Sequence, residues 1–184
     1  YASDGNAIDQ GDLSSTRAYS TGGGSSTHAY NIAGSNPGGY QNIIEKFAYA
    51  NGVDAADTGN DIVAYTVRNT HNEMIGNRTD IYMAGGQAPT APSPSDLFDI
   101  RKFPAASDGA TVSLTGDMLP SGYTTKHSGH SSTTHGYMVG GSSNVIQKFP
   151  FAADGNATDV ADLNYSDTGL SGSSSADYGY TTGG

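Results

Sequence analysis

The stretch KHSGHSSTTH, residues 126–135, holds three of the chain's five histidines, His127, His130 and His135. Imidazoles at this density are candidates for a metal centre, which requires several of them to converge on one point. The 127/130 spacing suits neither one face of a strand nor a helical turn, and no carboxylate stands nearby in the sequence. No metal is expected there. The Asp-rich stretches DGNAIDQGD (4–12) and DGNATDVAD (154–162) offer the clustered oxygen ligands that calcium favours. The matching stretches NGVDAADTGND (51–61) and DGATVSLTGD (108–117) break the pattern, and turn formation accounts for the Asp-Gly pairs without an ion.

Catalytic patterns are thin. The chain has no G-x-S-x-G elbow and no P-loop. Its only glutamates are Glu45 and Glu73. A glycosidase could use paired aspartates, but no pair is singled out. Asn77-Arg78-Thr79, Asn156-Ala157-Thr158 and Asn164-Tyr165-Ser166 match the glycosylation acceptor pattern, as a Ser/Thr-rich chain does by chance. No cofactor is expected.

Charge narrows the partners. Eighteen acidic against eight basic residues give a net charge of −10. Nucleic acid binding needs clustered Lys and Arg, and anionic membrane surfaces attract the same groups, so neither is an expected partner. No apolar run approaches the roughly 20 residues of a membrane span. With no Cys there are no disulfides, thiolate sites or cysteine nucleophiles. The chain starts at Tyr1 rather than Met, which suggests an excerpt or a processed product.

The elements that would position any site come from a repeat. IIEKF ends at Phe47, IRKFP at Pro104 and IQKFP at Pro150. The Phe residues of these KF pairs, Phe47, Phe103 and Phe149, lie 56 and 46 residues apart, and residues 1–34 match 151–184 without a gap. Four copies follow, approximately 1–46, 47–102, 103–148 and 149–184, about 50 residues each and together a single domain. Asp4-Gly5, Asn51-Gly52, Asp108-Gly109 and Asp154-Gly155 are predicted type I′ hairpin turns joining the KF strand to the next. A second hairpin precedes each KF strand, as in GHSSTTHGYMVGG. No segment carries a helical period with caps. Four short strands per repeat predict an all-β chain with its core between copies, because no single copy can bury its apolar faces alone. The order is strand 4, then strands 1-2-3-4 three times, then strands 1-2.

A Gly-Gly pair after YMV, a loop, and then an aliphatic-x-x-aromatic strand resemble the kelch-type β-propeller. The pairs are Gly85-Gly86, Gly140-Gly141 and Gly183-Gly184, with Ala33-Gly34 as the degenerate copy. The usual fourth-strand Trp is absent. The fuller pattern KFPFAADGNATDVADL…STTHGYMVGG is similar to KF/GG-repeat proteins of marine bacteriophages and their hosts, which are tail-fibre-like or virion proteins. The resemblance implies a β-propeller of four kelch-like four-stranded repeats, either four blades closed around one missing third strand or an arc of a larger ring. It also implies a virion or extracellular location. The Tyr–Cys crosslink of kelch-type copper oxidases is impossible without Cys.

Two recurrent positions read as structural. Lys46, Lys102 and Lys148 are expected on an exposed strand position, their stems covering aromatic neighbours. Tyr30, Tyr82, Tyr137 and Tyr180 are expected between copies with their hydroxyls hydrogen-bonded. In a meander the 1–2 and 3–4 turns share one end, and the 2–3 and 4–1 connections share the other. The 2–3 connections vary most: SNPGGY (35–40), QAPTAPSPSDLF (87–98) and SSN (142–144). Recognition by variable loops on a constant scaffold follows. Tyr40, Arg68, His71, Tyr123, Lys126 and His127 are the candidate contact residues. The expected function is a non-enzymatic structural or recognition module, a phage tail or fibre component contacting host glycan or a virion or cell-surface protein, with homo-oligomers an option. The alternative is a propeller-fold carbohydrate-active enzyme.

Overall fold

The computed structural model describes residues 9, 11–50, 53–61, 75–76, 79–88, 95–96, 98–107, 112–120, 126–153, 155–175 and 177–183. Among them are strands and turns and no helix. β1 (Thr21–Gly24), β2 (His28–Ile32), a small hairpin of β3 (Ser35–Asn36) and β4 (Gly39–Tyr40), β5 (Ile43–Ala48) and β6 (Ala56–Asp61) form the first copy as a structural unit, which runs from first to fourth strand and so is offset from the sequence bounds of 1–46. The second holds β7 (Ile75–Gly76), β8 (Ile81–Ala84), a hairpin of β9 (Gln87–Ala88) and β10 (Ser95–Asp96), β11 (Asp99–Phe103) and β12 (Val112–Asp117). The third holds β13 (His127–Ser131), β14 (His135–Gly140), β15 (Ser143–Pro150) and β16 (Thr158–Asp167). β17 (Leu170–Ser174) and β18 (Gly179–Gly183) end the chain as a pair. The four-stranded antiparallel sheets are β1-β2-β5-β6, β7-β8-β11-β12 and β13-β14-β15-β16.

Register repeats with the sequence. Tyr30 stands opposite Lys46, Tyr82 opposite Lys102, and Tyr137 opposite Lys148. Each second strand ends in consecutive left-handed residues: Ala33-Gly34 (φ 60° and 103°), Gly85-Gly86 (73° and 117°) and Gly140-Gly141 (81° and 82°). Glycine alone takes this region without steric cost, which explains the recurring pair. The ladder between third and fourth strands shifts register just before Glu45, Arg101 and Gln147. A bulge there re-aims the side chain that follows, and all three side chains are buried.

The core lies between sheets. Tyr30, Ile32 and Ile44 of the first sheet pack with Ile81, Met83 and Phe103 of the second. Tyr82, Ala84 and Ile100 of the second pack with Met138 and Phe149 of the third. β8 is therefore buried at every position, with alternate residues serving opposite neighbours. The joint is the same twice. The Tyr30 ring meets Phe103 at 5.3 Å and its hydroxyl donates to the Ala105 carbonyl at 2.8 Å. The Tyr82 ring meets Phe149 at 5.5 Å and its hydroxyl donates to the Phe151 carbonyl at 3.3 Å. The second-strand Tyr of one copy thus seats against the third-strand Phe of the next.

A polar clasp repeats beside it. The Asp12 amide donates to Asp54 Oδ1 while the Ala55 amide donates to the Asp12 carbonyl. Likewise the Asp117 amide donates to Asn156 Oδ1 and the Ala157 amide to the Asp117 carbonyl. Glu45 Oε1 and Gln147 Oε1 accept from the amides of Ser14 and Leu119. Glu45 also pairs with Arg17, both side chains fully buried.

Three expectations need correction. The third and fourth strands are not joined by two-residue turns. Described residues outside any strand at 49–50 and 53–55, at 104–107, and at 151–153 and 155–157 already exceed a two-residue loop around the Asp/Asn-Gly residues. Their own conformations lie mostly outside the described residues. The recurrent aromatics are not uniformly buried either. Phe47 is 37% exposed and Tyr180 53%, and neither meets a partner sheet among the described residues. The segment expected to form a strand ahead of the first copy makes the clasp instead of a ladder.

Phe149→Ala should therefore cost roughly 3–5 kcal/mol in denaturant unfolding. Phe47→Ala should cost less than about 1 kcal/mol. Equal costs would contradict the assignment of Phe149 to the joint.

Candidate functional site

The two ends of the sheets differ in kind. At one end three of the turns between first and second strands share the same bonds; the turn of the second sheet lies partly outside the described residues. Ser25, Ser132 and Ser175 each donate an amide to a carbonyl three residues on, at 2.8–2.9 Å. Their hydroxyl oxygens accept from the amides of His28, His135 and Tyr178 at 3.0–3.1 Å. Thr27 and Thr134 hold the Nδ1 atoms of His28 and His135 at 2.8 Å. The Tyr49, Ala106 and Phe151 amides donate back to the carbonyls of Thr27, Thr79 and Thr134, tying the 3–4 connections to these turns.

At the other end the 2–3 and 4–1 connections meet. Ala18 and Ser35 exchange amide–carbonyl bonds at 2.9 and 2.8 Å. The Ser142 amide donates to the Asp167 carbonyl, and the Gly169 amide to the Lys126 carbonyl. Here the copies diverge: the first two insert the hairpins β3-β4 and β9-β10, while the third turns directly from β14 into β15. In the first hairpin Asn36 Oδ1 accepts from the Gly38 amide at 2.8 Å and from Gln41 Nε2 at 3.2 Å. This orders the backbone that carries Tyr40, which is half-buried.

Of the candidate contact residues, Tyr40 and Lys126 lie at this end, and Lys126 is exposed with φ 63°. Arg68, His71 and Tyr123 lie outside the described residues. His127 is 2% exposed, not presented to a ligand. It opens β13 facing inward, where the matching residue of the next copy is the buried Leu170: the two stand opposite Gly140 and Gly183. Burial pushes its pKa down to about 4, partly offset by a hydrogen bond with the Ala84 backbone.

The recurrent lysines sit on the strands rather than around a ligand. Lys102 Nζ lies 3.3 Å from Asp80 and 5.8 Å from the Tyr82 ring centroid. Partial burial lowers its pKa, but Tyr82 and Asp80 outweigh that and hold it above the usual value.

One arrangement was not anticipated from the sequence. His130 Nε2 is 2.9 Å from Ser128 Oγ and 2.8 Å from Thr181 Oγ1, and its Nδ1 is 3.1 Å from the Ser173 carbonyl. Only a protonated Nδ1 can donate to that carbonyl, which leaves Nε2 to accept from a hydroxyl. Hydroxyl, imidazole and carbonyl are ordered as in a nucleophile–base pair. Ser128 is fully buried, and the group joins β13 to β17-β18. Position gives the available signal: His130 stands opposite Tyr137 as Ile75 stands opposite Tyr82, so a polar ring replaces an aliphatic one at a sheet contact.

Beside His130 runs a groove of about 460 Å³. Tyr137, Val139, Ile146 and Leu163 form its apolar wall, with Tyr178 and Thr181 opposite. Among the described residues no three His, Asp or Glu side chains converge to hold a metal. Compared with known proteins, the chain matches no protein-family model and no curated protein.

The buried His127 predicts a pH effect of fixed sign. Between pH 6.5 and about 4 the unfolded imidazole takes a proton that the folded one excludes. Its contribution is complete above pH 6.5 and is lost as pH falls toward 4; the whole loss is roughly 3 kcal/mol. His127→Leu, which copies Leu170, should flatten this part of the stability–pH curve measured by denaturant unfolding. An unchanged slope would place the ring in water.

Proposed function

We propose that this chain is a non-enzymatic recognition module, an arc of a kelch-type β-propeller on a virion or cell surface. It contacts a glycan or surface protein with the end where the 2–3 and 4–1 connections meet. The observation that carries this reading is the contrast between the ends. One repeats the same Ser hydrogen bonds in three turns, while the other is rebuilt among the three sheets with hairpins present or absent. Packing constrains the first end, and the second is free to carry a partner-specific surface.

The propeller part of the reading is supported by the equal register of the three sheets and their face-to-face packing. It is supported too by the succession of first strands, β1 against β7, β7 against β13, and β13 against β17. The resemblance to KF/GG-repeat phage proteins adds the setting, a tail or fibre component that meets a host surface. The net charge of −10 disfavours nucleic acid as the partner. Tyr40 and Lys126 supply the aromatic and cationic groups that anchor sugar rings and polar side chains.

Two variants test the reading. One replaces residues 87–98 with the Ser-Ser-Asn of 142–144; the other carries Tyr40→Ala with Lys126→Ala. Both should keep the far-ultraviolet circular dichroism of the parent, while attachment to host cells or purified surface glycan falls by about tenfold. Intact attachment, with loss on changing the Thr27 and Thr134 turns, would place the contact at the opposite end. Release of new reducing ends from host polysaccharide would replace the binding module with a carbohydrate-active enzyme.

A further inference from the structure

We propose that the joint between the first and second sheets carries a pocket for a single neutral sugar ring, seated where the matching joint holds a phenylalanine. The pocket lies at the end of the turns between first and second strands, away from the variable connections. It therefore does not rest on the recognition reading.

The two joints differ in one side chain. The Tyr30 hydroxyl donates to the Ala105 carbonyl and the Tyr82 hydroxyl to the Phe151 carbonyl. Ala105 and Phe151 thus hold the same position, two residues past the joint phenylalanine. Phe151 lies flat on Tyr82, with centroids 4.7 Å and planes 19° apart, and meets Phe149 edge-on at 5.9 Å. In the first joint a methyl group stands where that ring begins. A ring replaced by a methyl leaves a cavity when the surroundings relax only in part. A cavity of about 280 Å³ lies at this place, and both Tyr30 and Ala105 line it.

Its rim is polar. Ser26, Thr27 and His28 border it from the turn into β2, and Thr79 from the segment before β8. Thr27 Oγ1 holds His28 Nδ1 at 2.8 Å. The Nε2 of that ring and the Ser26 hydroxyl have no partner among the described residues. In the second joint Asp80 takes the place of His28 and pairs with Lys102 at 3.3 Å. The imidazole and the open space therefore occur together in the first joint, and both are gone from the second.

The lining selects the ligand. Among the described residues no charged side chain borders the cavity, so a carboxylate, phosphate or ammonium finds no counter-charge there. Ligand cavities combine an apolar wall with a few placed polar groups and mostly exceed roughly 300 Å³. At the small end of that range the space admits one ring rather than an extended chain. A pyranose has the matching make-up, with C–H groups for Tyr30 and the Ala105 methyl and hydroxyls for Ser26 and His28. A hydroxyl both donates and accepts, so it satisfies Nε2 in either tautomer. An aromatic ring would fill the apolar part and leave the polar rim unmatched.

The probes are the methyl glycosides of glucose, galactose, mannose and N-acetylglucosamine, titrated into the full chain and followed by calorimetry and saturation-transfer NMR. Saturable one-to-one binding of at least one glycoside is expected. Ala105→Phe, which copies Phe151, should fill the cavity, raise the thermal midpoint by about 2–4 °C and weaken binding about tenfold or more. Ser26→Ala with His28→Ala should weaken binding about tenfold with the circular dichroism of the parent, a readout independent of how the larger ring packs. Absence of saturable binding by all of these glycosides, or undiminished binding by both variants, would overturn the proposal. Tighter binding of p-cresol than of every glycoside would overturn it too, making the occupant an aromatic side chain. Glycoside binding that survives Ala105→Phe and is lost in Tyr40→Ala with Lys126→Ala would overturn the pocket while supporting the variable end.

Discussion

Everything in this fold hangs on one contact that no copy can make alone, a second-strand tyrosine seated against the third-strand phenylalanine of the next copy. Aromatic pairs in this tilted or edge-on geometry add about 0.5–1.5 kcal/mol beyond the area they bury. The hydroxyl needs a partner once buried, and the carbonyl two residues past the same phenylalanine supplies it in both joints. Ring and hydroxyl together fix distance and rotation between adjacent sheets. The bulge before Glu45, Arg101 and Gln147, the Asp12 and Asp117 clasps and the twofold burial of β8 all follow from holding two sheets at that spacing.

The same contact explains where the molecule departs from its own repeat. Phe47 and Tyr180 make no such joint among the described residues, and both are exposed. Between the third sheet and β17-β18 the phenylalanine is absent, and polar joinery takes over: His130 links Ser128, Thr181 and the Ser173 carbonyl. Hydrogen bonds are directional and can hold two sheets whose apolar contact is incomplete. Because the joints and the tightly copied turns carry the fold, the connections at the other end are under little packing constraint. The proposed recognition surface rests on that freedom.

Much of this was legible in the sequence, for physical reasons that can be named. A period of about 50 residues carrying strand patterns forces a core between copies, and the strand order was readable from the KF and Gly-Gly positions. Tyr30 and Tyr82 meet the expectation of buried rings with bonded hydroxyls. Lys102 places its ammonium over the Tyr82 ring, while the three lysine positions are half-buried rather than exposed. Other features were not legible. An Asp-Gly pair signals a turn but not its length, and the clasp to the preceding sheet lengthened the 3–4 connections. His127 reads as a loop residue because histidine is amphipathic, and only the pairing opposite Gly140 places it inward. The buried Arg17–Glu45 pair depends on the irregular segment ahead of β1 folding against β5, which no local pattern records.

The most direct test of the account is a double-mutant cycle on Tyr82→Leu and Phe149→Leu, followed by denaturant unfolding. Tyr82→Leu with Phe103→Leu serves as the reference, since Phe103 belongs to the same sheet as Tyr82 but packs against the first sheet. A favourable coupling of about 0.5–1.5 kcal/mol is predicted for Tyr82 with Phe149. For Tyr82 with Phe103 the changes should add to within about 0.5 kcal/mol. Additivity at Tyr82–Phe149, or a larger coupling at Tyr82–Phe103, would contradict a fold held together by joints between successive copies.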